Sequence, residues 1–260
     1  MKLSSWLDFT YQPVGIWFTD EKPEDAFEFD ASKRPCVVSM LLAASKGKTV
    51  AVSDETCPCP GGAVGLGFGN AFKRRDTPTL WMLSHGLECP DFPEGKTLRP
   101  ELEQGEKFFC TSNASRQWLA DLQLSDAGHR YVVFRPLRDE NEYATDGITQ
   151  PELVWLLADP DQLSALVIMC GYSTGRALNV LAPFCAGCQS IVLAKQQNRL
   201  DEPRAIMGMF DISQRHRIPK ELLSLTMPYR MFTDIDAHCD NGCLTTHAWK
   251  RIEGRFKDEQ

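Results

Sequence analysis

The sequence predicts one α/β (or α+β) domain whose core is an internally duplicated strand–helix–strand–cysteine turn–helix unit. Three observations carry that expectation. Short runs rich in β-branched and aromatic residues recur at 14–20, 131–137 and 153–159. Helix-like stretches, opened by proline and followed by glycine, come after two of them, at 35–44 and 160–169. Two cysteine-bearing turns, Cys57-Pro-Cys-Pro-Gly-Gly62 and Cys185-Ala-Gly-Cys188, then stand at matching places in the two series. Internal similarity of this kind decides a fold before finer readings do. The halves run approximately over 14–75 and 131–200, with 201–260 as a C-terminal extension of a single domain spanning 1–260.

Taken in order, 14–20 is a strand closed by acidic and proline-containing sequence, and a polar connection follows to residue 33. A helix over 35–44 begins on Pro35, where the missing N–H costs nothing, and Gly47 lies just past its end. Residues 49–53 form a short strand that delivers the chain into the first cysteine turn. A glycine-loosened helix is expected over 63–72, and the proline-rich 77–100 reads as loop. The stretch 101–122, with Phe108, Phe109, Trp118 and Leu119 for a buried stripe, is the longest helix candidate. A strand at 131–137 and an acidic surface loop over 138–147 complete the first half.

The second series starts with the strand at 153–159. Asp159-Pro160 opens a helix to Met169, and the short apolar 179–184 leads into Cys185-Ala-Gly-Cys188. Residues 189–193 are apolar without a clear period. The extension then reads as a strand at 204–210, a turn at 211–215 and a helix at 220–225. A charged, frayed end is expected over 250–260.

A formal charge of −7 over 260 residues argues against a general nucleic-acid binder, which needs a basic face to displace counterions. Apolar residues at 43% and charged residues at 24% suit a soluble globular chain with a substantial core. No run of 18 apolar residues offers a membrane span, and the N-terminus lacks the apolar core of a secretory signal. Ten cysteines without an export signal point to a reducing cytoplasm, where clustered thiols serve as metal ligands or redox groups.

The two turns carry the chemistry. Pro58 and Pro60 restrict the backbone while Gly61, Gly62 and Gly187 allow it to approach a bound group closely. A helix beginning after either turn sets its positive end near sulfur and favours thiolate or an anionic cluster. If the turns face each other, Cys57, Cys59, Cys185 and Cys188 make a four-sulfur site for an iron–sulfur cluster (4Fe-4S foremost) or for tetrahedral zinc. The Cys-x-Cys spacing favours iron and sulfide over a zinc knuckle. The function expected is therefore cytoplasmic electron transfer, or redox support of an anaerobic enzyme, with a redox partner protein. Neither nucleic acid nor membrane is expected as a partner, and a homo-oligomer is left open. A structural zinc module and a thiol enzyme using Cys59 or Cys188 as nucleophile are the alternatives.

The remaining polar candidates read blandly. Cys36, Cys89, Cys110 and Cys170 are isolated and suit apolar filling. The spacing of Cys239, Cys243 and His247, with His238 beside them, would align ligands on one helical face, but Asp240-Asn-Gly242 is turn sequence. His85 and His129 stand alone, and Arg215 more often ties a loop than binds an anion.

Several separate stretches resemble one known family. These are Cys59-Pro-Gly-Gly-Ala-Val-Gly-Leu-Gly-Phe68, Asp161-Gln-Leu-Ser-Ala165, Ala186-Gly-Cys-Gln-Ser-Ile191, Gly208-Met-Phe-Asp-Ile-Ser213 and Met227-Pro-Tyr-Arg-Met-Phe232. Together they are similar to the prokaryotic family catalogued as domain of unknown function 169, over roughly residues 35–249. The resemblance implies that Cys59 and Cys188 belong to the family's central motifs and carries no settled activity. It does not anchor Cys57 and Cys185 equally, which leaves Cys36, Cys239 and Cys243 as candidate replacements.

Overall fold

The computed structural model describes residues 1–75, 77–86, 103–122, 128–138 and 149–258. Among them, ten α-helices flank a mixed sheet of seven strands. The strands are β1 (Val14–Thr19), β2 (Val50–Ser53), β3 (Tyr131–Pro136), β4 (Leu153–Ala158), β5 (Val180–Leu181), β6 (Ala205–Gly208) and β7 (Leu223–Pro228), in the spatial order β2-β3-β1-β4-β7-β6-β5. Every pairing is antiparallel except that of β5 with β6.

Strand β4 lies in the middle of the sheet and is buried along its whole length, so side chains from both of its faces must find apolar partners. Leu153, Trp155 and Leu157 point into one core, and Val154, Leu156 and Ala158 into the other. That is the two-residue alternation of a pleated strand with both faces covered. The first core is closed by α2 (Val37–Ala44), α3 (Pro60–Gly65) and α8 (Gln189–Gln197). The second is closed by α1 (Lys2–Leu7), α7 (Pro160–Met169), α9 (Tyr229–His238) and α10 (His247–Asp258). Both cysteine turns lie on the first side.

Local chemistry explains where the elements begin and end. Asp159 caps α7 through a reciprocal box: its carboxylate accepts from the Gln162 amide at 2.8 Å, and the Gln162 side chain accepts from the Asp159 amide at 2.9 Å. Helix α9 stops at His238, just before Asp240-Asn-Gly242, as the turn chemistry requires. The order strand, helix, strand, cysteine turn, helix occurs in both series.

Elsewhere the structure corrects the sequence reading. The expected helix over 220–225 is a turn that runs at Leu223 into strand β7, because that segment completes a two-sided sheet against β4 and β6. The first two residues of the expected helix over 101–122 lie outside the described ones, and within the rest the chain leaves helix after Glu103 and re-enters it as α6 (Ser112–Asp121). Gly105 and Lys107 take positive φ, and the Thr111 hydroxyl caps α6 by accepting from Ala114 at 3.2 Å, so the helix starts there. The expected helix over 63–72 begins earlier, at Pro60, and a separate short α4 (Ala71–Arg74) follows. Positive φ at Gly67 and Gly69 divides the two. The expected loop over 77–100 contains α5 (Thr79–Leu83), and its part from 87 lies outside the described residues. Most of the acidic run over 138–147 lies outside them too. Of the charged end expected to fray over 250–260, the described residues belong to helix α10, which buries Trp249 against the second core.

Candidate thiol site

Three cysteines occupy the same structural position. Cys36, Cys59 and Cys188 stand at the N-cap positions of α2, α3 and α8, Cys59 alone capping through its sulfur, and all three line one cavity of about 660 Å³. The turns are held there by specific contacts. Arg75 donates to the Cys57 carbonyl at 2.7 Å and to the Asp54 carboxylate at 2.9 Å, clamping the segment between β2 and the first turn. The Gln189 side chain accepts from the Ala186 amide at 2.8 Å and closes the second turn.

The turns touch directly. The Cys188 thiol donates to the Gly61 carbonyl at 3.7 Å. A Cβ added to Gly65 would stand 2.6 Å from the Cys188 carbonyl carbon and oxygen, which is how closely α3 and α8 approach. Gly62 has a similar role, since its added Cβ would meet Val37 at 2.9 Å and the Cys57 sulfur at 3.2 Å. At Gly187 the Met209 side chain fills the same space. Gly61 is under no such pressure, with its nearest neighbours at ordinary contact distance.

Electrostatics divide the thiols. Cys59 is exposed and accepts the Gly62 N–H at 3.4 Å. Burial pushes the Cys36 thiol up, and the nearby Arg217 guanidinium and the Val38 and Ser39 amides offset part of that. Burial also drives Cys188 well above the ordinary thiol value, with Cys36, Cys59, Asp211 and Cys57 adding like-charge repulsion. Cys57 is pushed up to about 12 by burial and by Cys59, and its thiol donates to the Cys59 carbonyl at 3.6 Å. Four thiols thus sense one another: Cys36, Cys57, Cys59 and Cys188. Cys185 is fully buried and does not line the cavity; burial and then Asp211 push its thiol up to about 12.

Among the described residues, no group of three or more Cys, His, Asp or Glu side chains could hold a metal ion as it stands. Four sulfurs around one zinc would lie about 3.8 Å apart at ordinary Zn–S lengths. The tail residues make no such group either: Cys239 is buried with its thiol donating to the Ile235 carbonyl at 3.2 Å, and Cys243 faces the Ala165 carbonyl at 3.9 Å. Arg215 donates to the carbonyls of Pro219 and Lys220, tying a loop. His129 lies between Phe18 and Phe68 with a ring nitrogen 3.1 Å from the Leu66 carbonyl. Cys89 lies outside the described residues.

The rest of the cavity is aromatic and charged. Phe184 packs against Phe108 at 5.1 Å and Trp118 at 5.8 Å between ring centroids, and the Trp118 indole N–H donates to the Phe184 carbonyl at 2.9 Å. Arg34, Arg217, Glu106 and Asp211 also line it. In the sequence Phe108 and Trp118 read only as part of a buried helical stripe, and Phe184, Arg34, Arg217, Glu106 and Asp211 are each ordinary in isolation. One signal was present for Cys36, which stands immediately before a helix start, like Cys59 and Cys188.

No helix among the described residues is long and apolar enough to cross a membrane. A family model described as DUF169, uncharacterised ArCR, matches residues 2–237. No curated protein and no solved structure matches the chain.

Proposed function

For this chain, which belongs to the DUF169 family of uncharacterised ArCR proteins, we propose an iron–sulfur-binding redox function centred on the thiol-lined cavity. The observation that carries the reading is the convergence of Cys36, Cys59 and Cys188, each at a helix start, on one cavity. In this reading those three thiolates are ligands, Cys57, which senses Cys59 and Cys188, is the fourth sulfur, and Cys36 takes the part first given to Cys185.

Three physical features support it. The starts of α2 and α8 bring partial positive charge to the cavity and favour an anionic guest. The buried thiols resist ionisation together, so they become thiolates only with a cationic centre to offset the charge. The cavity of about 660 Å³ onto which the thiols open has room for a multi-iron cluster as well as for a single ion. When bound, the cluster would supply one-electron transfer, while the chain excludes water and sets the charge around the sulfurs.

Single alanine substitutions test the ligand set in anaerobically purified protein. Cys36→Ala, Cys59→Ala and Cys188→Ala should each lose most of the bound iron, and Cys170→Ala should keep it. Iron retained in all three cavity variants would overturn the assignment. The alternative of a thiol enzyme is favoured by one observation, the exposed Cys59 sulfur in a cavity large enough for an organic molecule. Alkylation of Cys59 that abolishes turnover in an iron-free preparation would support it.

A further inference from the structure

The cavity carries two pairs of opposite charge that do not neutralise each other. Arg34 and Arg217 line it beside Cys36, and Arg217 is close enough to favour the ionised form of that thiol. Glu106 and Asp211 are neighbours at the end that reaches Cys185 and Cys188. No ion pair among the described residues joins either arginine to either acid.

Partners for the four groups are few. Asp211 is buried and accepts from the Ser213 amide at 3.0 Å and hydroxyl at 2.7 Å. Arg217 donates to Gln214 at 2.6 Å and to Ser39 at 3.3 Å, which orients the guanidinium without neutralising it. The side chains of Arg34 and Glu106 have no hydrogen-bond or ion-pair partner among the described residues. Arg34 and Arg217 are exposed where they line the cavity, Glu106 is half-buried and Asp211 buried, so a guest carrying one charge of each sign can pair with groups that have no opposite charge of their own among the described residues. The wall by Glu106 is apolar and aromatic, made of Phe108, Trp118 and Phe184. Aromatic faces add to the attraction a carboxylate exerts on an ammonium group.

We propose that this cavity binds a small zwitterion with an apolar body, of the α-amino-acid type. Its ammonium group meets Glu106 and Asp211, its carboxylate meets Arg34 and Arg217, and its body lies on the aromatic wall. A simple anion would leave the acids uncompensated, and a simple cation would leave the arginines so. The inference goes beyond the cluster and does not rest on it.

Calorimetric titration tests it with three probes that share a phenyl ring: L-phenylalanine, phenethylamine and phenylpropionate. L-Phenylalanine should bind, with each singly charged analogue weaker by at least about tenfold, the scale of one lost charged contact. Glu106→Gln should weaken L-phenylalanine and phenethylamine and leave phenylpropionate unchanged. Arg34→Gln, at an exposed position, should do the reverse for the two analogues. An analogue that binds as tightly as L-phenylalanine, or the absence of binding by L-phenylalanine, L-leucine and L-methionine alike, would overturn the proposal. Iron measured in the same samples keeps the two ideas apart. Iron-free protein that binds L-phenylalanine removes the cluster alone, and iron-loaded protein that binds no apolar amino acid removes the zwitterion site alone.

Discussion

Burying a thiol penalises its ionised form, and Cys57, Cys170 and Cys185 are each pushed up to about 12 for that reason. In the unfolded chain the same thiols ionise near their ordinary value of roughly 8.5. The folded state therefore holds more protons between those limits, and stability must fall as pH rises through that window. Below the ordinary thiol value the contribution is fully present. Each such thiol adds a slope of roughly 1.4 kcal/mol per pH unit where only the unfolded form is ionised. Metal-free protein should thus show a steep loss of urea resistance from about pH 9 upward. Cys57→Ala should flatten that loss, at some cost in packing; an unchanged slope would mean that Cys57 is not protonated in the folded chain. Metal binding reverses the logic at the cavity, because it takes thiolate and releases protons.

At the scale of elements, the site exists because α3 and α8 approach with almost no space between them. Gly65 is the contact, with the Cys188 carbonyl occupying the place a side chain would need. Since the obstruction is backbone, Gly65→Ala cannot be absorbed by turning a side chain and must move one helix. A loss of at least ~1–3 kcal/mol is expected in urea denaturation, the usual cost of overpacking. The displaced Cys188 should lower iron retention in the same variant, and an unchanged denaturation midpoint would contradict this packing. Strands β1, β2, β3, β4 and β6 were legible because β-branched and aromatic runs need no tertiary information to be recognised. Strand β7 was read as helix because Lys220-Glu-Leu-Leu223 are good helix formers, although Leu223, Leu225 and Met227 keep the two-residue spacing that pairing with β4 and β6 uses. Helix α6 was overextended because positive φ at Lys107 leaves no mark in the sequence.

For the molecule as a whole, one sheet separates two cores and places every cavity cysteine on the same side. That the cysteine turns at 57–62 and 185–188 lie close together was anticipated from their matched positions. The part taken by Cys36 was not, because only the packing of α2 beside α3 and α8 brings its thiol to theirs. Charged groups scattered over the chain, from Arg34 to Arg217, likewise acquire a common purpose only in three dimensions. The central claim is that the thiol-lined cavity holds an iron–sulfur cluster. The most direct measurement is iron and acid-labile sulfide per chain, with the visible spectrum, in protein purified without oxygen. The account predicts a brown protein with iron and sulfide in near-equal amounts, bleached by oxygen or chelator. A colourless protein lacking both would contradict it.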